Sequence, residues 1–183
     1  AEVVNDDGTV KRLPELLKAE MYDSMFSCMR ERVDTLRFLY ALAASPRFRD
    51  TYLCDYVSNT DPAAEKQFAA VTMLLEDGTA YVAFRGTDTT LVGWKEDFNM
   101  AYISPVPSQE DAVTYLNGQA KRLPRRMQLR IGGHSKGGNL AVYAAINCDP
   151  AVHKRMRGAD IHVGPGVKVG IFKSAGFWRM RDR

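Results

Sequence analysis

Cysteine, histidine and long apolar runs are all scarce in this chain, and each scarcity excludes something. The three cysteines, Cys28, Cys54 and Cys148, are odd in number and widely spaced. They form no disulfide framework and no metal-ligand spacing, so reduced thiols in a reducing, cytoplasmic compartment are expected. No apolar run approaches the length of a membrane span, and no segment resembles a signal peptide. The chain begins at Ala1 without a methionine and reads as starting inside a longer protein. A formal net charge of +3 is too small to imply a nucleic-acid partner. The basic residues gathered at 121–130 and 154–157 read as a solvated helix end and loop. There is no internal repeat and no low-complexity segment. What remains is 183 residues, 45% hydrophobic and 26% charged, the composition of a globular protein with one domain-sized core.

The densest information lies in Ile131-Gly132-Gly133-His134-Ser135-Lys136-Gly137-Gly138-Asn139-Leu140-Ala141. It contains Gly-x-Ser-x-Gly as residues 133–137. An apolar run at 127–131 leads in, and a small-residue helical run at 140–146 leads out. In a strand, sharp turn and helix the pattern presents a serine nucleophile, here Ser135. Gly133 and Gly137 are the elbow positions that let strand and helix approach without a Cβ clash. A serine hydroxyl also needs a base and donors for the oxyanion. One donor is the backbone N–H after the nucleophile, that of Lys136. The other is expected from the loop after an earlier strand, Phe84-Arg85-Gly86-Thr87-Asp88, through the N–H of Thr87 or Asp88.

Along the chain, residues 10–27 and 29–44 carry helical spacing, and Ser45-Pro46 ends the second helix. Residues 52–57 read as a strand and 58–67, polar and holding Pro62, as a loop. Runs 68–75 and 79–84 flank Glu76-Asp77-Gly78, a hairpin signal. Ser108-Gln109-Glu110-Asp111 looks like a capping box opening a helix. Residues 127–131 predict a strand, 136–148 a helix and 158–163 one more strand. The order predicts an α/β fold with helices on the faces of a sheet. Residues 1–50 form an N-terminal helical segment and 51–183 the core, within one domain overall. Trp94 and Phe98, four apart, are expected to pack in the core, with Glu96 and Asp97 in a structural loop. No helix with an exposed apolar face is evident.

Phe84-Arg85-Gly86-Thr87, followed by Trp94 and Asp97, resembles the corresponding stretch of class 3 lipases, the fungal triacylglycerol-lipase type. Residues 133–139 resemble their elbow. Residues 82–100 and 132–145 are more similar still to a bacterial lipase-like α/β-hydrolase family, and the likeness runs from about Leu39 to the end. It implies an α/β-hydrolase core, a mostly parallel sheet with an N-terminal β-hairpin. It also implies an oxyanion role for Thr87 and an acyl-ester or lipid substrate, without cofactor or metal. Where that bacterial family reads Asp-Gly-Pro-Gly-Phe, this chain has Val163-Gly164-Pro165-Gly166-Val167, so the acid and the aromatic are missing.

The base is the open position. His134 sits within the elbow with its ring expected to point away, and His153 lies in a basic helix end expected to be solvated. His162 is the in-chain candidate, with Asp160 on the same strand face. That spacing is shorter than the fold uses, so the expectation is a fragment whose acid and base lie outside it. A phosphate-binding loop fails because Gly138 and Asn139 stand where Lys and Ser or Thr are needed. Gly164-Pro165-Gly166 lacks dinucleotide-binding spacing. Two classes of function remain: a serine esterase or lipase-like hydrolase, and a non-catalytic lipase-like binding module that keeps the elbow alone.

Overall fold

The computed structural model describes residues 10–26, 31–166, 170 and 173–181. Cys28 lies outside them. A six-stranded sheet runs in sequence order: β1 (Lys11–Arg12), β2 (Tyr52–Asp61), β3 (Lys66–Leu74), β4 (Thr79–Phe84), β5 (Gln128–His134) and β6 (Met156–His162). The helices are α1 (Tyr22–Met25), α2 (Arg32–Ala44), α3 (Leu91–Tyr102), α4 (Pro107–Arg122), α5 (Lys136–Asn147), α6 (Pro150–His153) and α7 (Ala175–Arg181). The α/β class expected from the sequence is the one observed. No described helix is long and apolar enough to cross a membrane.

The sheet is mixed. β1 to β4 pair antiparallel, whereas β4–β5 and β5–β6 pair parallel. Three of these five pairings are antiparallel, so the sheet departs from the mostly parallel pattern expected. The reason is the segment 58–67, expected as a loop, which is the far end of a β2–β3 hairpin. Asp61 Oδ1 accepts from the N–H groups of Ala63 (2.9 Å) and Ala64 (3.2 Å) and closes the turn around Pro62. The second hairpin, β3–β4, turns where Asp77-Gly78 predicts it, with Gly78 at φ 79°.

Strand alternation sends side chains to two apolar layers. Phe68 and Ala70 of β3 join Val82, Leu129, Ile131, Leu116 and Leu140 in the main core beneath α4 and α5. Val71 and Met73 face the other side, against Leu13, Leu16, Ala43 and Leu53. The helix expected over 10–27 is instead two 3₁₀ turns, Leu13–Leu16 and Ala19–Met21, and the single turn α1. Pro14 sits at the start of the first turn, where its missing N–H costs nothing. Ser108 is not the cap of α4. Pro107 occupies the first turn, and Gln109 Oε1 accepts from the N–H of Val106 at 3.1 Å.

Two substitutions on α4 should move stability in opposite directions. Leu116 is fully buried, so Leu116→Ala is expected to cost about 2–5 kcal/mol. A Cβ on Gly118 would meet nothing within 4 Å, so Gly118→Ala is expected to stabilise by about 0.5–1 kcal/mol. Urea unfolding of the two variants measures both.

Candidate functional site

Ser135 stands between the end of β5 and the start of α5 with φ 56° and ψ −126°. A non-glycine residue at positive φ is strained by about 1–3 kcal/mol and persists only where its surroundings over-determine it. Here they do. The Ser135 N–H donates to His162 O on β6 at 2.9 Å, and its carbonyl accepts from Gly138 at 2.9 Å and Asn139 at 3.3 Å. The two elbow glycines make the close approach possible. A Cβ on Gly133 would lie 2.4 Å from the Gly137 carbonyl carbon, and one on Gly137 would lie 2.2 Å from Phe84 O. Strand end, turn and helix start therefore fit only with bare positions at 133 and 137.

The 86–88 loop abuts the elbow. A Cβ on Gly86 would stand 2.7 Å from His134 O and 3.7 Å from Ser135 Cβ. The hydroxyl of Thr87 donates to Asp97 Oδ2 on α3. Asp88 folds its own carboxylate inward: Oδ1 accepts from the Thr90 N–H at 2.9 Å and Oδ2 from Arg85 at 3.3 Å. Thr90 in turn caps α3 by accepting from Gly93 at 3.2 Å. Thr87 and Asp88 thus have their side chains tied into the loop.

The side chain of Lys136 is fully buried and leads away from the serine. Its ammonium donates to Gln67 O (2.6 Å), Gln67 Oε1 (3.2 Å) and Glu96 Oε2 (2.5 Å). Glu96 also has no exposure. Its two oxygens accept from the N–H groups of Gln67 (2.9 Å) and Ser108 (2.9 Å). Three acceptors occupy the three ammonium protons, so this lysine is not arranged as a base for its neighbour. Gln109 and Asn139 form a second buried tie. Gln109 Nε2 donates to Asn139 Oδ1 at 2.7 Å, and Asn139 Nδ2 donates to Gly166 O at 3.1 Å.

Four expectations change here. Residues 91–102 are a helix and not a loop. Trp94 and Phe98 are not core residues: they are 47% and 69% exposed. The inward face of α3 is given to Gly93, Glu96 and Asp97, because the buried Lys136 ammonium requires a carboxylate there. An exposed apolar stripe therefore does exist beside the loop, made of Leu91, Trp94, Phe98 and Tyr102. Nor is His153 solvated; it is 3% exposed.

His134 and His162 are exposed strand partners at the ends of β5 and β6. The backbone of His162 is brought beside Ser135. The Asp160 carboxylate instead meets the Arg130 guanidinium with both oxygens, at 3.2 Å each. Among the described residues no histidine hydrogen-bonds the Ser135 hydroxyl, and no group of three or more His, Cys, Asp or Glu could hold a metal ion. Cys54 and Cys148 are buried, and burial pushes the Cys54 thiol up to about 11. That leaves it protonated and poorly nucleophilic at neutral pH.

Sequence reasoning singled out Ser135, the backbone of Lys136, Thr87 and Asp88. It missed Gln67, Glu96, Gln109 and Asn139. The available signal was the charge itself: a lysine directly after the serine, at the apolar start of α5, needs a distant acid.

The glycine fit predicts that Gly137→Ala forces Phe84 and the elbow apart. The expected loss is about 2–4 kcal/mol, in the range of overpacked cores and then some, because the clash is with backbone; chemical denaturation measures it. Asp97 predicts a pH effect. Burial raises its pKa, opposed by the Thr87 hydrogen bond. On raising the pH, the unfolded chain loses this proton first, from about 3.9 upward. The folded state therefore gains relative stability from Asp97 at low pH and loses it as pH rises through the raised folded value. Asp97→Asn, which still accepts from Thr87 and cannot titrate, is expected to flatten that fall. Thermal midpoints measured across the acid range check it.

A family model described as Mbeg1-like matches residues 42–183. Neither the curated proteins nor the solved structures yield a match. With most of its length covered by that model, the chain belongs to the Mbeg1-like family.

Proposed function

We propose that this chain is the core of a serine hydrolase, esterase or lipase-like, built as an α/β-hydrolase of the kind that class 3 lipases represent. The observation that carries the reading is the backbone of Ser135. It is a strained serine at the end of a parallel strand, wedged between two obligatory glycines, with a second loop packed against its Cβ. Strain of this sort is retained where it presents a side chain for chemistry.

In this reading Ser135 Oγ attacks the carbonyl carbon of an acyl ester. Its proton passes to a base, and the carbonyl oxygen becomes an oxyanion. The Lys136 N–H and the N–H of Thr87 or Asp88 receive that charge. Collapse of the tetrahedral species expels the alcohol, and water then releases the acyl group from the serine. Apart from its chain neighbour His134, His162 is the described histidine whose backbone meets Ser135, its carbonyl accepting from the Ser135 N–H at 2.9 Å, and Arg130 already engages Asp160. An acid and base supplied from outside these 183 residues fit this arrangement better than an Asp160–His162 pair. The apolar stripe on α3 favours an acyl chain or lipid as the apolar part of the substrate. The non-catalytic module is favoured by one observation, the lack of a histidine on the Ser135 hydroxyl among the described residues.

A fluorophosphonate probe separates the two. The full-length protein is expected to be labelled, and Ser135→Ala to abolish labelling. The 183-residue chain alone is expected to react slowly, since oxyanion stabilisation and binding without a base retain roughly three to four powers of ten over water in a serine protease. Full-length protein that takes no label would hand the case to the binding module. Strong Ser135-dependent labelling of the short chain would make His162 the base.

A further inference from the structure

We propose that Glu96 and Lys136 are positioning residues for the oxyanion donors, and that α3 is the jig that sets the distance between them. The inference rests on the serine-hydrolase reading of Ser135. It starts from two neighbouring carboxylates. Glu96 holds the Lys136 ammonium at 2.5 Å, and Asp97 holds the Thr87 hydroxyl. Lys136 and the Thr87–Asp88 loop are the places whose backbone N–H groups would receive the oxyanion. The two donors sit on different elements, the start of α5 and the loop after β4, some fifty positions apart in sequence. Yet each is tied to one of two successive residues on a single helix.

Successive Cα atoms are fixed at about 3.8 Å, and successive helical side chains diverge by roughly 100°. Glu96 and Asp97 therefore reach two partners from one rigid base, and any shift of α3 moves both donors together. The helix itself is pinned. Glu96 receives two further backbone donors, Gln67 of β3 and Ser108 of α4. Gly93 is bare where Thr87, Asp88 and Gln67 close in. A Cβ there would lie 3.0 Å from Thr87 Cγ2, 3.1 Å from Asp88 Oδ1 and 3.2 Å from Gln67 Oε1.

Lys136 adds a second constraint. The peptide between Ser135 and Lys136 takes its direction from the Ser135 ψ of −126°, and that peptide carries the N–H in question. Anchoring the lysine at its far end, on Gln67 and Glu96, fixes the Cα from which this N–H projects. A purely structural ion pair has no reason to choose the residue directly after the nucleophile and a helix whose next residue grips the other donor.

The test uses the full-length protein, with kcat and KM for a short-chain ester, the rate of fluorophosphonate labelling and the thermal midpoint measured on each variant. Lys136→Met removes the ammonium, keeps the backbone N–H and strands a buried carboxylate, so it is expected to lower both midpoint and kcat. Lys136→Met with Glu96→Gln removes both charges at nearly constant volume, and the midpoint should recover above that of the single variant. Under this proposal kcat and the labelling rate do not recover. They stay about 10- to 100-fold below wild type with KM within about threefold, as expected for misplacement of the order of an ångström. Glu96→Asp, which keeps the charge and draws the carboxylate back by one methylene, guards against a double variant that does not fold. It too should lose at least about tenfold in kcat. Val152→Ala, a core truncation remote from the site, supplies a variant of lowered midpoint that should keep wild-type kcat. Wild-type kcat in a folded double variant, or in Glu96→Asp, overturns the proposal and leaves the serine-hydrolase reading intact. A wild-type protein that neither labels nor turns over ester overturns both.

Discussion

An ammonium and a carboxylate with no exposure to water lie at the centre of this molecule. Moving two such ions out of water is costly by several kcal/mol each, and attraction alone rarely offsets that in full. The Lys136–Glu96 pair persists because the ammonium and both carboxylate oxygens are themselves hydrogen-bonded. The ammonium donates to three oxygens, and the carboxylate accepts from it and from two backbone N–H groups. The acceptors and donors come from β3, α3, the start of α4 and the start of α5. Four elements are thereby required to meet at one point, and an apolar side chain in place of Lys136 or of Glu96 would leave the other's charge unsatisfied. Hydrophobic burial brings the layers together without specifying such a point. The pair specifies it, and it does so one residue from the serine.

The strain at Ser135 follows from the same meeting point. A positive φ at serine is unfavourable in isolation. It is held here by β6 through the His162 carbonyl, by α5 through Gly138 and Asn139, and by Phe84 pressing against the bare Cα of Gly137. The Asn139–Gln109 tie fastens the 165–166 turn over the same helix start. The turn is thus fixed from the strand side, the helix side and above, leaving the hydroxyl as its adjustable part.

Much of this was legible locally. The elbow could be read because its glycines, its apolar strand and its small-residue helix are contiguous. The β3–β4 hairpin could be read because Asp77-Gly78 dictates its own turn. The β2–β3 hairpin escaped because its distal residues, 58–60, are polar and exposed, and a strand without a core face carries no hydrophobic alternation. Residues 10–27 were overread as one helix because Leu13, Leu16 and Leu17 have helical spacing, whereas the helix expected over 29–44 is present as α2. One short 3₁₀ turn, Leu13–Leu16, presents the same leucines to the sheet.

The case of α3 is more instructive, since its pattern was present and its polarity was inverted. Leu91, Trp94, Phe98 and Tyr102 form a proper apolar stripe, and the usual rule would bury it. The rule assumes that the core offers only apolar partners. Here the core offers a lysine ammonium 40 positions away in sequence, and a helix with adjacent Glu and Asp on its opposite side gains more by turning those inward. Contiguous exposed apolar patches on a protein surface are commonly functional. In this chain the stripe owes its exposure to the charge beneath it, so the feature that ties down the 86–88 loop and the feature that offers an apolar surface next to it have a single physical cause.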